Sequence, residues 1–154
     1  MTCGRSVGYD YLGALPVEIT VAGAGGVGAP RSRDDPRRLF ETLERIVSRT
    51  PIITGRLGDP LRFPDSDVIV LQPADPEPLR LLHHEIANSG IDFETSPFEY
   101  VPHCTLSQKP NPPPDEVERL LAAQIVGDFI APTLSVYDMH AFPMCSLRWR
   151  GYLR

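Results

Sequence analysis

The hydrophobic pattern of the chain first alternates over Leu15 to Ala22 (LPVEITVA), between a proline and a run of glycines. Alternation rich in β-branched residues predicts a β-strand. Because successive side chains of a strand point to opposite faces, Glu18 and Thr20 are expected on one face and their apolar neighbours on the other. Gly23 to Asp34 has no apolar periodicity and is rich in Gly, Pro, Arg and Asp, which predicts a surface loop.

Three later segments place apolar residues at the spacing of an amphipathic helix. The first (DPRRLFETLERIVSR) begins at Asp35-Pro36, the second begins at Asp75-Pro76, and the third (DEVERLLAAQI) follows a proline-rich turn. An acidic cap followed by proline is typical of a helix start. The residues predicted to form buried helix faces are Leu39, Leu43, Ile46 and Val47 in the first helix, Leu79, Leu82 and Ile86 in the second, and Val117, Leu120, Leu121 and Ile125 in the third.

Four further segments predict strands, because short apolar runs alternate there with turn residues. They are a meander from Ile52 to Leu71, and strands over Tyr100 to Ser107, Phe129 to Met139 and Ser146 to Leu153. Strands interspersed with three helices in this order predict an α+β fold. A length of 154 residues with 42% hydrophobic residues favours a single domain over residues 1–154.

Two of the predicted strands share a pattern. VEITV at residues 17–21 aligns with PHCTL at residues 102–106, and each strand leads through a loop into a helix. This faint internal duplication predicts two βα lobes whose aligned strands meet across a cleft. In the alignment Glu18 corresponds to His103, and Thr20 corresponds to Thr105.

The sequence PHCTL, after Phe98-Glu99-Tyr100-Val101, resembles the second signature motif of the 2H phosphoesterases, the superfamily that includes the 2'-5' RNA ligases. The order of elements is similar over nearly the whole chain. The resemblance implies a two-lobed, duplicated βα arrangement, with antiparallel sheets around a central cleft and helices on the outside. It also implies one His-x-Thr/Ser motif in each lobe, so that the candidate site residues are His103, Thr105, Glu18 and Thr20.

The resemblance further implies phosphodiester chemistry that needs no metal and no cofactor. A His and a Thr two residues apart on a strand project from the same face, so two such strands place two imidazoles and two hydroxyls around one phosphate. One imidazole activates the attacking water or hydroxyl and the other protonates the leaving oxygen. The implied substrates are 2',3'-cyclic phosphates, other cyclic nucleotide phosphodiesters or 2'-5' linkages, including those at RNA ends.

The first motif departs from the family pattern, because Glu18 stands where a histidine is expected and no histidine precedes His83. An ionised carboxylate about 4 Å from a phosphodiester would repel it by on the order of 4 kcal/mol at an effective dielectric near 20. Two hypotheses follow. Either Glu18 acts as an unusual general base beside His103 as acid, or the fold is catalytically impaired and binds a nucleotide, an RNA end or a protein partner.

The remaining histidines are weaker candidates. His140 replaces the missing imidazole only if the end of its strand lines the cleft, and a surface or structural role is the favoured interpretation. His83 and His84 lie within the second helix and are interpreted as structural. Cys104 alternates with the motif residues on its strand, which favours packing in the core over nucleophilic chemistry.

A glycine pattern and a few basic or aromatic residues suggest other binding sites. Gly23 to Gly28 (GAGGVG) matches the GxGxxG dinucleotide fingerprint, but the prolines that follow prevent the helix that would hold a pyrophosphate. NAD binding is therefore only a third hypothesis, ranked last. The basic residues near the motifs either border the cleft or lie on solvated surfaces. For Trp149 and Tyr152, packing in the core is favoured over stacking on a base. The basic residues in question are Arg31, Arg33, Arg37, Arg38 and Lys109.

Composition narrows the function classes. The formal net charge of -5 argues against a general basic surface for duplex nucleic acid. The three cysteines are widely spaced and are interpreted as free thiols in a reducing compartment. No leader or membrane segment is recognised, so a cytoplasmic monomer acting on RNA ends or small cyclic nucleotides is expected.

Overall fold

The computed structural model describes residues 12–14, 17–23, 25–31, 35–125, 127–141 and 143–154. These residues contain three α-helices and nine β-strands. The helices are α1 (Pro36–Val47), α2 (Glu77–Ala87) and α3 (Pro114–Leu121). The strands are β1 (Leu12–Ala14), β2 (Val27–Pro30), β3 (Ile53–Arg62), β4 (Ile69–Pro73), β5 (Phe93–Thr95), β6 (Cys104–Ser107), β7 (Asp128–Ala131), β8 (Thr133–Ala141) and β9 (Met144–Tyr152).

The strands form three antiparallel sheets, with the orders β1-β9-β8, β2-β5 and β6-β4-β3-β7. The first and third sheets adjoin, because Pro132 alone separates β7 from β8 and the Leu153 amide donates to the Pro132 carbonyl. Hydrogen bonds from Ile52 to Arg154 and from Arg154 to Thr50 fasten the end of β9 beside the start of β3. The fold is α+β, as predicted.

The main core lies between α1, α2 and the strands at this junction. The predicted apolar faces of the first two helices are buried, apart from Leu39, which is partly buried against the core. Ile53, Trp149 and Leu153 meet these faces from the strands. None of the helices in the described ranges is long and apolar enough to cross a membrane.

The first helix starts as predicted. Its N-cap Asp35 accepts a hydrogen bond from the Arg37 amide, and Pro36 occupies the first turn, where a missing amide hydrogen costs nothing. The second helix starts slightly later than predicted, at Glu77, whose amide donates to Asp75.

The third helix is shorter than predicted and buries none of its residues. It ends at Leu121, so Ile125 lies outside it and both residues stay more than a third exposed, at 38% and 37%. Val117 and Leu120 are only half-buried. The helical period was correct here, but the helix packs against β3 and β4 without burying any of its own residues.

Part of the glycine-rich segment is not the loop that its composition predicts, and residues 24 and 32–34 of that prediction lie outside the described residues. Val27–Pro30 forms β2 and pairs with β5, and the Arg31 amide donates to the Asp92 carbonyl. Gly28 allows the close approach, since a Cβ there would lie 2.8 Å from the Glu94 Cβ. No helix opens among these glycines, because α1 begins only at Pro36.

Both motif segments are less regular than predicted. Residues 17–22 form no strand, and residues 15 and 16 of that prediction lie outside the described residues. In the second motif the strand begins only at Cys104, not at Tyr100. Periodicity indicates which face a side chain takes, whereas a strand also needs a ladder partner, and neither segment 17–22 nor segment 100–103 has one.

Candidate functional site

His103 lies directly before β6, with its ring half-buried. Its Nδ1 is 2.7 Å from the Val101 carbonyl oxygen, and its ring meets Phe63 edge-on, with centroids 4.9 Å apart at 82°. A carbonyl oxygen only accepts hydrogen bonds, so Nδ1 carries the hydrogen and Nε2 is the nitrogen that can gain or lose a proton. The imidazole is therefore held in one tautomer and one orientation.

Thr105 and Cys104 alternate along β6 as the sequence predicts. Cys104 pairs with Leu71 and is buried in the core, whereas Thr105 pairs with Val70 and is exposed. Pro102 and Cys104 are buried, whereas His103 between them is half-buried and Thr105 is exposed, so His103 and Thr105 belong to the open side of this segment. The structure thus brings the second motif pair together on one face.

Glu18 and Thr20 are also together. The Thr20 hydroxyl donates to Glu18 Oε1 over 3.1 Å, and both residues are half-buried. Burial raises the pKa of the Glu18 carboxyl above its usual value, and the hydrogen bond from Thr20 offsets only part of that rise. Glu18 is thus a stronger base than a solvated carboxylate.

The two motifs lie in the same region of the molecule. Burial raises the pKa of the Cys104 thiol, and the negative charge of Glu18 raises that pKa further. Glu18 therefore lies near enough to β6 for its charge to act there. Within the described part of the chain, however, no hydrogen bond or ion pair joins Glu18 to His103, whose contacts are with Val101 and Phe63.

Comparison with known protein families assigns the chain to a superfamily. A family model described as the 2'-5' RNA ligase superfamily matches residues 9–140. The chain belongs to the 2'-5' RNA ligase superfamily. A search of curated protein sequences found no match. Membership agrees with the 2H phosphoesterase resemblance of the second motif and with the α+β fold.

One residue of this superfamily member connects the two motif segments in a way that the sequence did not reveal. His83 Nδ1 lies 2.7 Å from the carbonyl oxygen of Val21, at the end of the first motif. Its ring stacks on Tyr100, just before the second motif, with centroids 3.9 Å apart at 12°. A Cβ on Gly26 would lie 2.3 Å from His83 Nε2. His83 is structural, as predicted, but it fastens both motif segments to α2.

The other candidate histidines lie elsewhere. His140 is exposed on β8, with Nε2 3.0 Å from the Ser146 hydroxyl across the β8–β9 hairpin. His84 is exposed on α2 and contacts Asn88. Among the residues that the structure describes, no group of three or more His, Cys, Asp or Glu side chains is arranged to hold a metal ion.

The basic and aromatic candidates differ in whether they are paired, buried or exposed. Lys109 pairs with Glu116 over 2.8 Å, which offsets its charge. Trp149 packs in the core and stacks with Phe40, with centroids 6.2 Å apart. Tyr152 is 70% exposed, so the prediction that it packs in the core is wrong. Arg31, Arg37 and Arg38 are exposed, and Arg33 lies outside the described residues.

The buried position of Glu18 predicts a pH-dependent effect on stability. Its folded-state pKa is raised, so the protonated form stabilises the fold and this contribution is lost as pH rises through the raised pKa. Glu18→Gln cannot ionise. Its melting temperature should match that of the wild type near about pH 4 and exceed it increasingly towards about pH 8, measured by circular dichroism.

The matched control is Glu41→Gln, which changes an exposed glutamate on α1. This variant should show no comparable divergence with pH. A Glu18→Gln difference that stays constant over the whole pH range would contradict a raised pKa at this position.

Proposed function

We propose that this protein is a 2H-type phosphodiesterase that acts on 2',3'-cyclic phosphate or 2'-5' phosphodiester substrates by acid–base catalysis. The observation that carries the proposal is the tautomer and the orientation of the His103 imidazole. The Val101 carbonyl fixes Nδ1 and leaves Nε2 to exchange a proton, beside the exposed Thr105 hydroxyl on the same face. The chain belongs to the 2'-5' RNA ligase superfamily, and the segment PHCTL around His103 resembles the second signature motif of the 2H phosphoesterases.

In the proposed reaction Glu18 is the general base and His103 is the general acid. Glu18 takes a proton from water as the water oxygen forms a bond to phosphorus. The bond from phosphorus to one ribose oxygen breaks, and His103 Nε2 gives its proton to that oxygen. Thr105 donates a hydrogen bond to one non-bridging oxygen. Thr20 donates to the other when its hydroxyl turns from Glu18 to the phosphate. The raised pKa of Glu18 supports its role, since a carboxylate of higher pKa takes up a proton more readily.

The direct test is turnover by the purified protein in the presence of a chelator. We expect the protein to convert a 2',3'-cyclic nucleotide to a nucleoside monophosphate, and chromatography measures the product. A 2'-5'-linked dinucleotide is assayed in parallel. The rate should rise with pH as Glu18 ionises. Absence of product from both substrates would exclude the proposed activity.

Substitution at position 18 separates this function from a second candidate. A glutamate in place of the expected imidazole favours an impaired 2H fold that binds a nucleotide, an RNA end or a protein partner without turnover. If Glu18 is the base, Glu18→Gln should lower kcat by about 10²-fold or more, because the amide cannot take a proton. Wild-type protein that binds the nucleotide without turnover, and gains turnover in Glu18→His, would instead support the impaired fold.

In an active enzyme, Glu18→His should raise kcat by at least about tenfold, because imidazole transfers the proton without repelling the phosphodiester. The steady-state rate on a 2',3'-cyclic nucleotide measures this. Glu18→Gln is the matched control, since it removes the same charge without supplying a base. Equal rates for the two variants would contradict the role of position 18 in proton transfer.

A further inference from the structure

The side of β8 and β9 that faces away from α1 carries a distinct set of residues. Trp149, Leu134 and Val136 point into the core beneath α1. The residues that alternate with them, Arg150 and Tyr152, are exposed. Partners directly opposite in an antiparallel ladder share a face, and here they are Ser135 and Thr133. This exposed side is therefore polar, basic and aromatic.

The same side of the strand layer carries the second motif. Core-facing residues can be followed across the ladders from β3 through β4 to β6, and they are Ile53, Leu57, Pro73, Leu71 and Cys104. Thr105 alternates with Cys104 and so lies on the other side, where its ladder partner Val70 is buried but the pair Thr54 and Ile130 is exposed. The alternation changes phase at Pro132, because Ala131 and Leu134 both pack against the core. Beyond Pro132 the side that faces away from the core carries Arg150 and Tyr152, opposite Ser135 and Thr133.

Arg150 is held by neutral groups. Its Nε donates to the Ser135 hydroxyl over 3.1 Å, and its Nη2 donates to the Tyr137 hydroxyl over 3.4 Å. By contrast, Arg148 lies 3.4 Å from Asp138, and Arg56 lies 3.6 Å from Asp128. In the described part of the chain no carboxylate pairs with Arg150, so its guanidinium is oriented while its charge is not offset.

Tyr152 supplies an aromatic surface beside this charge. It follows Arg150 by two residues on β9, a spacing of about 7 Å along a strand, and is 70% exposed. A phosphate contact next to an aromatic ring is the combination that holds single-stranded nucleic acid, because every base has a face that can stack. A positive side chain at this point is also complementary to the phosphodiester backbone, in a chain of net charge -5.

We propose that Arg150 and Tyr152 bind a nucleotide of a single-stranded RNA substrate beyond the one that reacts, with Arg150 on a phosphate and Tyr152 stacked on a base. The inference rests on the proposed function and names its substrate as an oligonucleotide. It predicts that this site contributes to the binding of RNA but not to the binding of a mononucleotide, because a mononucleotide has no second nucleotide to reach Arg150 and Tyr152.

The test measures binding and turnover separately. Fluorescence anisotropy with a labelled single-stranded RNA that ends in a 2',3'-cyclic phosphate gives Kd, and a 2',3'-cyclic mononucleotide gives kcat and KM. Arg150→Gln should raise Kd for the RNA by about tenfold and lower the slope of log affinity against log salt by about 0.7. Tyr152→Leu should weaken binding by about tenfold with the salt slope unchanged. Neither variant should change mononucleotide turnover.

Arg148→Gln is the matched control, because it removes an adjacent arginine whose charge Asp138 offsets. Its Kd should stay within about twofold of wild type. Wild-type protein that does not bind the RNA, an Arg150→Gln variant that binds as tightly as wild type, or an equal loss in Arg148→Gln would each overturn the inference. RNA binding that depends on Arg150 without any turnover would instead support this site and exclude the proposed catalytic function.

Discussion

Replacing His103 with alanine should lower kcat for a 2',3'-cyclic nucleotide by about 10²–10⁴-fold. The expected loss is large because the variant removes the proposed proton donor to the leaving oxygen, and no other histidine contacts this position in the described part of the chain. The Val101 hydrogen bond and the Phe63 contact hold the His103 ring in place in the wild type. Removing the ring therefore removes both the acid and its fixed orientation. Initial rates at saturating substrate measure the change.

His140→Ala is the control, since that histidine is exposed and contacts Ser146 across the β8–β9 hairpin. It should retain the wild-type kcat. The melting temperature of His103→Ala shows whether the variant is folded at the assay temperature. A folded His103→Ala enzyme with more than about a tenth of the wild-type kcat would rule out His103 as the general acid.

Replacing Gly26 with alanine should destabilise the protein by about 2–4 kcal/mol, through a steric clash added to backbone strain. The residue has φ +72°, and a Cβ would lie 2.3 Å from His83 Nε2 and 2.8 Å from the Tyr100 Cβ. His83 cannot readily move aside, because the Val21 carbonyl holds Nδ1 and Tyr100 stacks on the ring. Urea denaturation followed by circular dichroism measures the free energy of unfolding.

Gly90→Ala is the matched control for Gly26→Ala. Gly90 has a similar φ of +83°, but nothing lies within 4 Å of a Cβ there, so only the backbone cost of about 1 kcal/mol should appear. In a double-mutant cycle, His83→Ala should relieve part of the Gly26→Ala loss. Equal losses at both glycines, or fully additive losses at Gly26 and His83, would show that the ring does not limit this position.

The sequence predicted best those elements whose stability depends on local spacing. The 3.6-residue period and the Asp35 cap placed α1, and Leu43 and Leu82 are buried as expected. Alternation also placed Thr105 and Cys104 on opposite faces of β6 before any ladder was known. In each of these cases the residues that decide the outcome lie within a few positions of one another.

Features that depend on distant partners could not be predicted in this way. The ladder between β2 and β5 joins residues more than 60 positions apart, and it depends on the missing side chain of Gly28 beside Glu94. His83 showed no signal in the sequence, because its partners at Val21 and Tyr100 are remote along the chain. The helical period of α3 was visible, but nothing local showed that this helix would stay at the surface.

The position of Cys104 has a consequence for how the protein withstands oxidants. A cysteine stands between His103 and Thr105, yet burial and the charge of Glu18 raise the pKa of its thiol. The thiolate is the form that peroxides and alkylating reagents attack, so a buried thiol that holds its proton reacts slowly. Burial and the nearby charge of Glu18 therefore together protect the segment that carries His103 and Thr105 from covalent damage.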